Sequence, residues 1–275
     1  MPRLWDDSLY AGCAEHYRIG RLPYPQRLAD ALGERLSLDG RGTLLDLGCG
    51  PGSLTLLLAP LFAHVLAVDA DAQMLAVGAD EARRRGVANV EWVRSAAEDL
   101  PEDLPRVDVV TLAQSFHWMD RRVVARKVRG WLAPDGCCVH VGATTREGAS
   151  DTAGLPHPLP PRDRINDLVR TYLGPRRRAG QQAVTGSLPN DEEQAFRGAR
   201  LTGPEIIPAP GGDAFIRTED EVIASVLSLS SAAPHLFGDR LPSFVGDLRD
   251  LLRAASPAGT FAERLQDMRL LLWRP

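Results

Sequence analysis

The segment Thr43 to Gly52, Thr-Leu-Leu-Asp-Leu-Gly-Cys-Gly-Pro-Gly, constrains this chain more than any other. Thr43 to Leu47 is short, apolar and bounded by glycine on both sides, the pattern of a strand buried on both faces of a parallel sheet. Gly48, Gly50 and Gly52 then make a tight loop without Cβ atoms, where a ligand can come close to the backbone before the chain enters a helix. That helix is expected to begin near Ser53 and to pack through Leu54, Leu57, Leu58 and Leu61.

Glycines alone do not choose among the nucleotide-binding folds that start this way; Asp46 does more. A carboxylate just ahead of the loop repels a pyrophosphate, the group that dinucleotide and P-loop sites bring to a helix N-terminus. It tolerates a ligand that lacks phosphate there and carries positive charge. His64 to Val68 reads as a second buried strand ending in Asp69, about twenty residues after the loop, where an acidic residue can accept both hydroxyls of a ribose. Ribose without phosphate, joined to a cationic tail, describes S-adenosylmethionine.

Leu44 to Ser53, followed by Ala67-Val-Asp-Ala70, resembles the class I S-adenosylmethionine-dependent methyltransferases, in particular the small-molecule group typified by methyltransferase type 11 domains. The specific likeness covers roughly residues 40 to 142. It implies an α/β fold, a Rossmann-like seven-stranded mixed sheet with a helical cap or insertion, and S-adenosyl-L-methionine as cofactor with S-adenosyl-L-homocysteine as product. By the resemblance, Asp69 and Ala70 lie at the ribose and Gly48, Cys49 and Gly50 under the ribose and methionyl parts. Asp46 lies near the methionyl ammonium, with Ala113 and Gln114 on the methionyl side. Met74, one turn into the helix that Asp71 is expected to cap, packs on adenine in such proteins, although a methionine at that spacing also suits plain core. The loop Ser95-Ala-Ala-Glu-Asp-Leu-Pro101 departs from the usual pattern, with Ala96 where an aspartate is common, so Ala97 and Glu98 are the adenine contacts expected here. The segment Tyr17 to Pro25 resembles one that covers the cofactor, with Tyr17 over it and Arg21 or Arg18 on the methionyl carboxylate; solvated arginines on a surface helix are the plainer alternative.

The 275 residues, 44% of them hydrophobic, accommodate one large α/β domain with a cap. The expected divisions are an N-terminal helical cap segment (1–39), the cofactor-binding core (40–142), an insertion or lid (143–200) and the C-terminal part of the sheet with its helices (201–275). Within the last, Thr218-Glu-Asp-Glu221 is a capping box, and strands near 205–209 and 270–273 would form the antiparallel hairpin that closes such sheets. A net charge of −4 gives no basic field for nucleic acid. No apolar run is long enough for a membrane span and no signal h-region opens the chain, so a cytoplasmic protein with a small-molecule partner is expected. Cys13, Cys49, Cys137 and Cys138 lack paired CxxC spacing, which indicates neither zinc nor disulfides, and no metal is expected. Cys49 reads as small filler in the loop.

Val107 to Ala113 reads as the fourth strand, running into Gln114-Ser-Phe-His-Trp-Met-Asp120 at the ligand-binding end of the sheet. His117 there is the candidate base or substrate contact, since its pKa lies near neutrality, and Phe116 and Trp118 are candidate walls for a substrate. The alternative is a histidine bonded to backbone with both rings in the core. Methyl transfer is a direct displacement that needs alignment, and a base only where the acceptor keeps its proton. Arg176 to Arg178 either meets an anionic substrate or is a solvated run. The rivals are a protein of this fold that binds the cofactor for other chemistry or regulation, an RNA or protein methyltransferase, and a nicotinamide-dependent oxidoreductase, which Asp46 disfavours.

Overall fold

The computed structural model describes residues 5–142, 144–151, 153–175, 178–179, 182–183 and 191–275. Arg176 and Arg177 lie outside the described residues, as does the polar stretch 184–190. Two helices, α1 (Ala14–Gly20) and α2 (Gln26–Leu36), precede the sheet. The chain then runs β1 (Thr43–Leu47), α3 (Ser53–Leu58), β2 (His64–Asp69), α4 (Ala72–Arg85), β3 (Val90–Arg94), β4 (Val107–Ala113), α5 (Arg121–Trp131) and β5 (Leu132–Gly142). After α6 (Arg162–Leu173) come the two-residue strands β6 (Arg178–Ala179) and β7 (Gln182–Ala183), α7 (Glu192–Gly198), β8 (Thr202–Ala209) and β9 (Ala214–Thr218). The last elements are α8 (Glu219–Leu227), α9 (Pro234–Phe237), α10 (Leu241–Ala255), β10 (Thr260–Arg264) and β11 (Met268–Arg274).

The seven-stranded sheet has the order β3-β2-β1-β4-β5-β11-β8. Its first five strands are parallel, and β11 runs antiparallel to both β5 and β8. The expected seven-stranded mixed sheet is therefore present. Its closing pair is not a simple hairpin, because β9, three helices and β10 lie between β8 and β11. β5 begins earlier than the sequence suggested, since Leu132 already pairs with Val107 ahead of the Pro134-Asp-Gly136 turn.

Strand β1 shows why the run is apolar throughout. Alternate side chains leave a strand on opposite faces, so Leu45 and Leu47 join Val124, Val128 and Trp131 of α5 on one side. Leu44 joins Leu28 of α2 and Leu54 and Leu58 of α3 on the other. Asp46 shares the face of Leu44 and so points toward α3.

A third apolar cluster stands apart from the sheet. Val222, Phe237, Phe244 and Phe261 gather there with Ile165 of α6. The helix read within the insertion thus packs with the C-terminal helices, whereas α7 packs on α5, carrying Phe196 into the core beneath Trp273.

The N-terminal segment is clamped to this outer layer. Gly20 ends α1 against α8, and a Cβ there would lie 2.2 Å from the Ser225 backbone nitrogen, so no larger residue permits the approach. Arg217, 1% exposed, donates to the carbonyl oxygens of Gly20 and Glu221 and to Glu263, itself 3% exposed. Arg162 donates to both Glu263 oxygens at 2.9 Å, and the Gly148 N–H adds a further bond. Burial pushes the Glu263 carboxyl up, but Arg162, Gly148 and Arg217 together hold it below the usual range. Its stabilising effect is therefore complete above the ordinary glutamate pKa and is lost as the pH falls through the lowered one. Removing one partner of such a pair strands a buried charge: Glu263→Ala should cost about 3–5 kcal/mol in chemical denaturation at neutral pH, and a loss under 1 kcal/mol would refute this role for the cluster.

Candidate functional site

The carboxyl ends of β1, β2 and β4 open into a cleft bordered by the N-terminal segment. Ligands of open α/β sheets bind at this end. The glycine loop after β1 forms its floor. Gly48 has φ +67°, and a Cβ there would lie 2.4 Å from the Ser115 Cβ, so the loop after β4 can seat itself only against a glycine. The N–H groups of Gly48 and Cys49 donate to the Val68 carbonyl, fastening the loop to the end of β2. Cys49 packs on Ala67 and Leu75, and burial pushes its thiol well up, consistent with filler and not with a nucleophile.

Two carboxylates organise the cleft. Asp46, 2% exposed, accepts from Thr55 Oγ1 at 2.6 Å and from Thr111 Oγ1 at 2.7 Å, one hydroxyl on each oxygen. Burial raises its pKa and the two hydroxyls counter the rise. Asp69 Oδ2 accepts from the Gly50 N–H and Oδ1 from the Asp71 N–H, each at 2.8 Å. Burial lifts this carboxyl to about 6 against the pull of those two N–H groups. Its remaining acceptor capacity faces a cleft it helps to line.

The cleft's far end follows from α4 and the turn after β3. Asp71 caps α4 as expected, accepting from the Gln73 and Met74 N–H groups, and so sets Met74 on the lining beside Ala70. Ala97 and Glu98 line the cleft with Ser95 and Ala96. Glu98 Oε1 accepts from the Asp120 N–H, which ties this turn to the loop after β4. In that loop Ala113, Gln114 and Ser115 reach the cleft. Gln114 has φ +58°, an unfavourable value for a residue with a side chain, held by the contacts of Ser115 at the start of the glycine loop, Ser115 Oγ donating to the Leu47 carbonyl and its Cβ lying against Gly48.

The expected substrate triplet divides. Trp118 lines the cleft, with its indole N–H buried. Phe116 is fully buried and stacked 4.8 Å from Phe196, so it belongs to the core and not to a substrate wall. His117, the expected base, is not among the lining residues. The single turn over Phe116–Trp118 sends successive side chains in different directions, and the imidazole lies 4.7 Å from the Trp118 ring while its carbonyl accepts from Arg121.

Tyr17 lines the cleft, but Arg21 does not. Its Nε and Nη2 reach Ser228 at 2.8 and 3.0 Å, and its guanidinium lies 4.4 Å from the Tyr17 ring centre. Arg18 pairs with Glu15. Neither arginine is directed to a carboxylate in the cleft, because the helix on which α1 packs offers Ser228 first. Sequence reading missed Trp5, Tyr10 and Tyr24, which also line the cleft. The Trp5 N–H donates to the Trp118 carbonyl, and Tyr10 stands edge-on to both Trp118 and Tyr17. The signal was a series of aromatics, Trp5, Tyr10, Tyr17 and Tyr24, spaced five to seven residues apart ahead of the glycine loop. Among the described residues no group of three His, Cys, Asp or Glu side chains is placed to hold a metal.

Residues 44–136 match the family model of a methyltransferase domain. The chain is 29% identical over 123 residues to a probable S-adenosylmethionine-dependent methyltransferase of Saccharomyces cerevisiae, covering 44% of this chain and 42% of that protein. It is 31% identical over 139 residues to a trans-aconitate 2-methyltransferase of Azoarcus sp., covering 50% and 49%. The chain thus spans about half the length of these relatives, or less. Among solved structures, a putative type II methyltransferase from Anaeromyxobacter dehalogenans superposes with a TM-score of 0.54 at 24% identity, over 92% of this chain and 96% of that one.

The paired hydroxyls on Asp46 give a direct test of how the floor is held. Thr111→Val keeps the shape and removes one donor to a buried carboxylate, which should cost about 1–3 kcal/mol in urea denaturation. A neutral result would show that Asp46 does not need the bond.

Proposed function

We propose that this chain, whose residues 44–136 are an S-adenosylmethionine-dependent methyltransferase domain on the class I methyltransferase fold, transfers the methyl group of that cofactor to a small-molecule acceptor. One observation carries the reading: Asp69, at the end of β2, is fixed by the Gly50 and Asp71 N–H groups with capacity left to accept a ribose diol. The rest of the cleft fits the same ligand. Its glycine loop is bordered by Asp46 and not by lysine or arginine, which suits a cationic tail and not a pyrophosphate.

In this assignment Asp69 and Ala70 hold the ribose, and Met74, Ala97 and Glu98 flank adenine. Gly48, Cys49, Gly50, Ala113 and Gln114 lie along the methionyl part, with Asp46 behind it and Tyr17 over it. When bound, the cofactor supplies a methyl group activated on a sulfonium. The protein's own contribution is placement. Trp5, Tyr10 and Trp118 wall the cleft from water and hold an acceptor in line, which is where most of the rate comes from in a displacement that needs no metal. A small acceptor is supported by the relatives named for small molecules, trans-aconitate among them.

Titration calorimetry with S-adenosylmethionine and S-adenosylhomocysteine tests the assignment. Micromolar binding is expected, with at least a tenfold loss in Asp69→Ala; equal affinity in that variant would overturn the site. Affinity should also fall with acidity. The Asp69 carboxyl is ionised above about 6 and is the better acceptor in that form, so binding should weaken as the pH drops through that value. One unit below it the loss should approach about tenfold.

A further inference from the structure

The charge on the cleft walls restricts the acceptor, given the cofactor assignment of the preceding section. Among the described residues, every charged side chain that lines the cleft is acidic: Asp46, Asp69, Asp71 and Glu98. No lysine, arginine or histidine is among them. Arg21 lies behind Tyr17, 4.4 Å from its ring centre, with its Nε and Nη2 donors given to Ser228, so it offers no hydrogen bond on the lining. The closing wall is aromatic, with Trp5, Tyr10, Tyr17, Tyr24 and Trp118, whose ring faces carry the negative end of their quadrupole.

A carboxylate or phosphate acceptor would enter this cleft against like charge and without a cation on the described lining to bond it, a costly burial. A hydroxyl acceptor would need a base beside it. Tyr10 and Tyr24 are buried phenols that stay protonated, His117 is not on the lining, and the carboxylates are engaged elsewhere, Asp46, Asp69 and Glu98 with the cofactor in the assignment above and Asp71 with the α4 cap. An amine needs neither a cation nor a base once its nitrogen carries a lone pair.

We propose that the acceptor is an amine on an apolar, ring-bearing body and that it is methylated on nitrogen. The amine enters the step uncharged, having left its proton in water. The nitrogen lone pair forms the new N–C bond while the S–C bond breaks, and the sulfur keeps the electron pair. Positive charge passes from sulfur to nitrogen and stays beside the aromatic wall, with no cation on the described lining to oppose it. A secondary amine then holds an ammonium whose N–H proton is released to water. With an anionic acceptor the charges would cancel and these walls would contribute nothing to the transition state.

Two probes of similar length separate the cases, N-methylphenethylamine and hydrocinnamate. Each is titrated into the full chain saturated with S-adenosylhomocysteine, and each is then offered labelled S-adenosylmethionine. The amine should bind at least tenfold more tightly than the acid and take the label on nitrogen. Equal or tighter binding of the acid, or binding of neither by a chain that binds S-adenosylhomocysteine, overturns the proposal. Failure to bind S-adenosylhomocysteine at all would be seen before any probe is added, and would overturn the cofactor assignment itself. Trp118→Leu should lower the preference for the amine by about tenfold, read as the ratio of the two probes' affinities in the same variant saturated with S-adenosylhomocysteine; a full preference retained with Trp118 gone would overturn the role of the aromatic wall.

Discussion

A single buried carboxylate, Asp46, holds the ligand end of this sheet together. Its two oxygens take the hydroxyls of Thr55 on α3 and Thr111 on β4, so one side chain of β1 fixes both the helix that follows the glycine loop and the neighbouring strand. The loop between them has little freedom left. Its N–H groups are drawn to Val68 and Asp69 at the end of β2, and Ser115 from the end of β4 rests against Gly48. Three strand ends are locked to one another by groups that also line the cleft. The support of the strand ends and the lining of the cleft therefore draw on the same residues, and a carboxylate that would be a liability in the core is tolerated because both of its oxygens are satisfied.

The second constraint lies outside the sheet. Arg217, Glu263 and Arg162 join the antiparallel pair β9 and β10, the helix α6 and the end of α1 in one buried cluster. Because α1 ends in Gly20 pressed on α8, the aromatic segment before it is delivered to the mouth of the cleft. Charged groups far from the glycine loop thus decide how the cleft is closed. The same clamp explains why Arg21 is absent from the cleft, since packing α1 on α8 brings its guanidinium to Ser228.

Local patterns were readable wherever a short stretch carried its own physics. The buried run of β1, the N-cap Asp71 and the reciprocal bonds of Thr218 and Glu221 depend on residues a few positions apart, and each appears as the sequence suggested. Strands β9 and β10 were not read, because their partners are distant and each is short, with polar residues among the apolar ones. Phe116-His117-Trp118 was ambiguous for a different reason. A single turn can aim any of its three side chains at the cleft, and the contact between Phe116 and Phe196, contributed by α7, settled which one stayed in the core.

The sequence by itself determined the strand, glycine loop and helix, the two acidic residues at the ends of β1 and β2, and hence the class of sheet and the ligand chemistry its crevice favours. Those features rest on backbone conformations and charges that act within one supersecondary unit. Only the tertiary structure decided that Trp5, Tyr10 and Tyr24 wall the cleft, that Arg21 turns away and that every described charge on the lining is negative. These depend on how α1 meets α8 and how Arg217 is buried against Glu263, contacts between segments nearly two hundred positions apart for Gly20 and Arg217, which no local spacing encodes.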